Sequence, residues 1–243
     1  PKEAGPKFVA FCSYAAVLDN LQGWDVVFSS FSHKVSEWRA AGINAVYLPL
    51  AFGRPSLNGL ELDDKEWQVG FGGGLGHKHI WKRRTELLER VAEEIDGFWW
   101  FGYGYDQLDE NEYPWLRGCY GGEAYGKRYW ELLSSCAIAI HIHGEIATDA
   151  NGKCWTNAMR CFEVPGVKCC LVTEHSENIR DFLEPGKEVV TFKTEDDLVK
   201  QVKLLLREPQ RAAAIAKAGQ KRVLAEHCYE HRVPKFLEVI ENL

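Results

Sequence analysis

Arg160-Cys-Phe-Glu-Val-Pro-Gly166 leads straight into the apolar run Lys168-Cys-Cys-Leu-Val-Thr173. The chain then passes through Phe182-Leu-Glu-Pro-Gly186 and Thr194-Glu-Asp-Asp-Leu198 to Glu226-His-Cys-Tyr-Glu-His-Arg232. Apolar runs, turns rich in Pro and Gly, and amphipathic stretches follow one another in order. Leu198, Val202 and Leu205 recur at helical spacing and read as a core stripe. Pro209 suits the first turn of a further helix to about 225, and the remaining residues read as a last helix broken near Pro234.

The same alternation extends back to the N-terminus. Candidate strands are 8–12, 25–29, 44–48, 68–71, 98–101, 137–143, 168–173 and 188–192. Their β-branched and aromatic content, unbroken by polar alternation, suits strands buried on both sides. Ile80, Leu87, Leu88, Val91 and Ile95 mark a helix between two of them. The pattern predicts an α/β protein: a parallel sheet with helices on both faces. A boundary falls between Leu48 and Trp67, where the stretch 49–59 is rich in Pro, Gly and polar turn residues and reads as a linker. Only about two βα units precede it, too few for an independent doubly wound domain. The expected division is therefore 1–55, a remnant of one domain with its linker, and 56–243, a second domain.

Composition bounds the function without naming it. With 243 residues, 46% of them hydrophobic, the chain can bury one large or two small cores. No apolar run approaches the roughly 20 residues that span a bilayer, and no signal peptide opens the chain. The eight cysteines form no Cys-x-x-Cys pair and several sit in apolar runs, which points to buried thiols in a reducing cytoplasm. A net charge of −6 argues against an extended nucleic-acid surface but leaves room for a local basic pocket. Basic residues cluster at Lys78, Lys82, Arg83 and Arg84 and again at Lys127 and Arg128; they read chiefly as solvated helix faces.

The motifs of 160–232, in this order and spacing, resemble the C-terminal half of a GT-B glycosyltransferase. More narrowly, they resemble the "glycosyl transferases group 1" domain of the spore-maturation-type (CgeB-like) family: Arg-x-Phe-Glu, a small-residue turn, a strand, a Phe-to-Gly loop and a closing His-x-Tyr-x-x-Arg. The agreement covers about a third of the chain. The resemblance implies a Rossmann-like parallel sheet of GT-B type and a nucleotide-diphosphate sugar as substrate, with no cofactor and no bound metal. It also implies a saccharide or other hydroxyl acceptor, in polysaccharide or glycoconjugate synthesis. The run Trp24 to Pro49 resembles the closing βαβ piece of the GT-B N-terminal domain. That implies a fragment, with the part that usually carries acceptor contacts and the catalytic base absent; no catalytic residue is assigned. The alternative is a non-catalytic nucleotide- or partner-binding module of a larger assembly protein.

Candidate donor-binding residues follow from strand-to-helix turns. The loop Gly70-Phe-Gly-Gly-Gly-Leu-Gly-His-Lys78 can turn backbone N–H groups toward an anion, which singles out Gly73, Gly74 and Lys78. It is neither a dinucleotide fingerprint, because Leu75 replaces the third glycine, nor a Walker loop. Thr156 or Asn157 can cap a helix beginning near 157 whose N-terminus favours a pyrophosphate. Arg160 adds a fork of donors, and Glu163, three residues on, offers an acceptor-only carboxylate to a ribose diol or else closes an intrahelical salt bridge. Eight positions before Glu163 stands Trp155, so the Glu-x₇-Glu pair of many retaining GT-B enzymes is missing. His141, His143 and Glu145 alternate onto one face of a strand end, as a donor contact, structural histidines or a metal site. Position favours His143 as the donor contact. Tyr103, in the loop after Phe98-Trp-Trp-Phe101, is placed to stack on a base, whereas Trp99 and Trp100 read as core.

Overall fold

The computed structural model describes residues 6–13, 18–76, 81–143, 149, 151–156 and 158–243, with the side chains of 18 and 19 excepted. All eight expected strands form: β1 (Val9–Cys12), β2 (Val26–Ser29), β3 (Ala45–Tyr47), β4 (Trp67–Gly72), β5 (Phe98–Phe101), β6 (Cys136–His141), β7 (Cys170–Glu174) and β8 (Val190–Phe192). They build two all-parallel sheets, one in the order β1-β2-β3 and one in the order β5-β4-β6-β7-β8.

The helices are α1 (Ser32–Ala40), α2 (Lys82–Glu94), α3 (Pro114–Gly118), α4 (Gly126–Ser134), α5 (Arg160–Gly166), α6 (Glu195–Arg207), α7 (Pro209–Glu226) and α8 (Val233–Glu241). Thr194 caps α6, its hydroxyl accepting from the Asp197 N–H, and Glu195, Asp196 and Asp197 place negative charge in the first turn, where the helix dipole welcomes it. Pro234 stands at the start of α8 and does not break it, because the missing proline N–H has no helical partner to lose in the first turn.

The larger sheet is buried on both sides. Val69, Phe71, Ile138, Ile140 and Val172 meet Leu87, Leu88 and Val91 of α2 and Leu198 and Val202 of α6 in one core. Ala139 and Leu171 face the opposite core with Leu132, Leu133, Phe162 and Val223. The period of two along each strand thus feeds two cores. The smaller sheet is covered by Val35 and Trp38 of α1 on one side and by Phe236, Val239 and Ile240 of α8 on the other.

The stretch after β3 is more tightly held than its composition predicts. Phe52 is fully buried, its N–H donates to the His227 carbonyl (2.8 Å), and its own carbonyl accepts from the Tyr229 N–H (3.1 Å). Its ring lies so close under Gly166 that a Cβ there would stand 2.7 Å from it. Arg232 donates to the carbonyls of Pro49 (3.2 Å) and Leu50 (3.4 Å). The segment Glu226–Arg232 is accordingly a clasp for the connection between the sheets. All eight cysteines are free thiols, six of them buried.

Candidate functional site

In the larger sheet the chain goes from β4 to β5 on one side and then to β6 on the other. Such a switch leaves a crevice at the carboxyl ends of the two diverging strands. A cleft of about 190 Å³ lies there, walled by Gly72 at the end of β4 and Gly73 and Gly74 after it, Trp81 just before α2, Arg84 of α2, Tyr103 after β5, His141 at the end of β6 and Arg160 of α5.

The glycine loop is pinned to its neighbour. The Gly73 N–H donates to the Phe101 carbonyl (2.9 Å), that of Leu75 to Tyr103 (3.0 Å), and that of Gly76 to the Thr85 hydroxyl (3.0 Å). The expectation that several N–H groups face an anion is corrected: these three are used within the chain, and among the described residues only the Gly74 N–H of this turn lacks a partner. Glycine is required by close approach. A Cβ on Gly102 or Gly104, both at positive φ, would meet the carbonyl oxygens of Gly73 and Leu75 at 2.2 and 2.0 Å. A Cβ on Gly74 would strike the Tyr103 ring at 2.5 Å, so this ring, 46% exposed, lies over the loop at the cleft edge.

Arg84 sits on the buried stripe of α2, in step with Leu87, Leu88 and Val91. Its guanidinium lies over the Trp81 ring (4.6 Å) and near that of Phe71 (5.7 Å), and Nη2 donates to the Ile142 carbonyl (3.0 Å). Its Nε is buried without a partner, and among the described residues it has no ion pair. Burial, reinforced by the charge of Arg160, pulls its pKa down to about 10. The charge is retained at neutral pH, and the nearby Glu174 offsets only part of the cost of burial.

Arg160 is the opposite case. Its Nε and Nη2 donate to the Gly72 carbonyl (3.1 and 2.9 Å), Nη1 pairs with the Glu163 carboxylate, and the cation lies 4.8 Å over the Tyr129 ring. The Tyr129 hydroxyl donates to the same carboxylate oxygen (3.0 Å). Burial disfavours the Arg160 charge, but Tyr129 and Glu163 more than offset it and hold its pKa above the ordinary arginine value. Burial and the neighbouring carboxylate drive the Tyr129 phenol well above its usual range, so it stays a donor.

Between these walls stand two histidines. His141 and His143 are each 7% exposed, with His141 Nε2 3.2 Å from His143 Nδ1 and His143 Nε2 3.1 Å from the Glu174 carbonyl. Burial pushes His143 down to about 4 and His141 well below the ordinary histidine value, His143, Arg84 and Arg160 adding to the shift of His141. Both rings are neutral at pH 7.

Of the sequence candidates, Gly73, Gly74, Tyr103 and Arg160 share the cleft. Glu163, 6% exposed, stands behind Arg160 in the intrahelical salt bridge that was its alternative reading. His141 lines the cleft where His143 was expected; β6 ends at His141, and His143 lies past the ladder, turned to Glu174. Thr156 is turned inward: 1% exposed, it exchanges backbone hydrogen bonds with the Asn178 amide (2.8 and 3.0 Å), and its hydroxyl accepts from Ala158. The helix expected near 157 begins at Arg160 and has seven residues, too short for much of a dipole. Lys78, Asn157 and Glu145 lie outside the described residues, among which no group of His, Cys, Asp and Glu could hold a metal. Sequence reasoning missed Arg84, Trp81 and Tyr129.

A roomier, mostly apolar cavity of about 460 Å³ lies at the amino ends of β4 and β6, against α6 and α7. Its charged rim is already satisfied: Lys65 Nζ donates to the Ser134 and Lys168 carbonyls, and Lys168 pairs with Asp63. It has no convergent free polar groups and sits at the wrong end of the strands for a ligand of an open α/β sheet.

No curated protein sequence matches the chain. Solved structures do. HepE of Anabaena, in complex with UDP, superposes with a TM-score of 0.72 at 12% identity, over 98% of this chain and 72% of that one. Sucrose-phosphate synthase of Thermosynechococcus elongatus gives 0.65 at 12% identity, over 93% and 60%. The pneumococcal O-GlcNAc transferase GtfA, in complex with UDP and GlcNAc, gives 0.62 at 12% identity, over 93% and 46%. The chain thus spans between about half and three quarters of these proteins, and at such identities the likeness is one of fold: the GT-B architecture. Among the described residues no helix is long and apolar enough to cross a membrane. The sequence profile described as glycosyl transferase-like matches residues 83–238, a stretch that runs from α2 through the cleft to α8, and the chain belongs to that family.

Proposed function

We propose that the cleft binds the diphosphate of a nucleotide-diphosphate sugar, and that the protein transfers that sugar to a hydroxyl of a saccharide or glycoconjugate. One observation carries this reading: Arg84, partly buried beside a second arginine, with its Nε buried and partnerless and no ion pair among the described residues. A largely desolvated cation with no ion pair is costly, and a diphosphate in the cleft supplies one. The UDP complexes of HepE and GtfA support the class of ligand.

In this reading Arg84 and Arg160 stabilise the negative charge that develops on the departing nucleoside diphosphate as the bond from the anomeric carbon breaks. They supply positive charge that a divalent ion would otherwise bring, so transfer is proposed to be metal-independent and to need no cofactor. Tyr103 offers its exposed face to the base. A carboxylate has about four acceptor sites, so Glu163 can add a ribose diol to its two partners. Gly73 and Gly74 admit the phosphates closely, and Lys78 and Asn157 remain proposed contacts. An acceptor hydroxyl requires a general base, and no residue of this chain is assigned that part.

We further place the domain boundary at 55/56, the donor-binding domain being 56–243, and assign the chain to the spore-maturation-type branch on the motifs of 160–232. Free thiols favour a reducing compartment, here the cytoplasm. With its net charge of −6 the protein is not assigned a nucleic-acid partner.

The test is a thermal-shift panel of UDP, GDP, TDP and their sugars, with UMP and inorganic pyrophosphate as fragments. Diphosphates are expected to raise the melting temperature well beyond the monophosphate. A protein indifferent to every member overturns the reading.

A further inference from the structure

His143 Nε2 faces a backbone carbonyl, which can only accept, so this nitrogen carries the proton. The ring is neutral, so its Nδ1 is a lone pair, and the atom 3.2 Å away, His141 Nε2, must donate to it. His141 is neutral as well, and its remaining nitrogen, Nδ1, is therefore unprotonated. The Glu174 carbonyl, at the end of β7, thus sets the tautomer of both rings.

We propose that His141 presents Nδ1 to the cleft as a hydrogen-bond acceptor, and that it selects the donor by accepting from a hydroxyl of the sugar, with His143 as the positioning residue that fixes its tautomer. The inference rests on the reading of the cleft as a nucleotide-sugar site. Two arginines already bring positive charge to the lining of the cleft, which suits phosphate oxygens. A nitrogen lone pair repels those oxygens and needs a partner that donates. In a nucleotide-diphosphate sugar the group next to the diphosphate that can donate is a sugar hydroxyl. The Glu174 carboxylate serves the same geometry, since it accepts from the His143 N–H (3.2 Å) and is held by Arg83.

Two measurements test this. Nitrogen-15 NMR of the unliganded protein reads the tautomer directly, because an unprotonated ring nitrogen resonates far downfield of a protonated one. His141 is expected to show Nδ1 unprotonated and Nε2 protonated; the reverse assignment overturns the proposal whether or not nucleotides bind. Calorimetry then compares whichever of UDP, GDP and TDP binds with its glucose conjugate. The conjugate is expected to bind the wild type about fivefold more tightly, the worth of one ordinary hydrogen bond. That margin should vanish in His141→Leu, shrink in His143→Leu, and persist in His143→Asn, whose Oδ1 replaces the accepting Nδ1. Melting curves confirm that each variant is folded. A margin that survives His141→Leu overturns the sugar contact. If none of the three nucleotides binds, the donor-site reading falls and takes the sugar contact with it, while the NMR result still decides the tautomer.

Discussion

The two walls of the cleft hold the same residue type in opposite conditions. On the α5 side Arg160 is complete: its three donor groups are engaged, its charge is met by Glu163, and Tyr129 closes the arrangement from below. On the α2 side Arg84 is embedded in aromatic surface with one donor idle and no ion pair among the described residues. The difference separates two uses of a partly buried cation. One organises the protein around itself, while the other is held ready for something that arrives.

If that contrast is right, the two arginines fail differently when removed. Arg160→Leu leaves the buried Glu163 carboxylate without its cation, and stability to urea is expected to fall by about 3 kcal/mol, with nucleotide affinity falling too. Arg84→Met keeps the packing against Trp81 and Phe71 and removes a charge that has no ion pair among the described residues. Its stability should be unchanged or raised, while the dissociation constant for a nucleoside diphosphate rises about thirtyfold, the loss of a charge-assisted contact of about 2 kcal/mol. Equal stability losses in the two variants would erase the contrast. Tyr129→Phe sharpens it with a smaller effect: loss of the hydroxyl's bond to Glu163 should cost about 1 kcal/mol of stability and shift nucleotide affinity less than twofold. A larger shift would make Tyr129 a ligand contact.

The strands were legible because burial on both faces writes itself as an unbroken apolar run; Val26, Val27 and Phe28 are all fully buried. The site was less so, for reasons that can be named. Lys82-Arg83-Arg84 has the composition of a solvated patch, yet only Arg84 continues the 87, 88, 91 stripe, while Lys82 pairs with Glu86 and Arg83 with Glu174. The position of an arginine on a helix was the signal, and its charge hid it. A period of two puts His141 and His143 on one face but does not say where the ladder stops, and that stop at His141 decides which ring meets the cleft. Thr156 has the chemistry of a cap, but its backbone is claimed by Asn178, a partner that no local pattern reveals. The linker was misjudged for the same reason: Phe52 is locked by His227 and Tyr229, which lie at the far end of the chain.

That last arrangement has a mechanical meaning. The polypeptide crosses between the two sheets twice, outward after β3 and back before α8, and the crossings are laced together at Phe52 and by Arg232. A single crossing would act as a swivel. Two bound side by side define an axis, and α8, seated on the first sheet at Phe28, turns with that sheet. The first sheet is held further by α1, whose His33 ring stacks on Trp155 (5.9 Å), so the clasp and this contact together tie it to the half that carries the cleft.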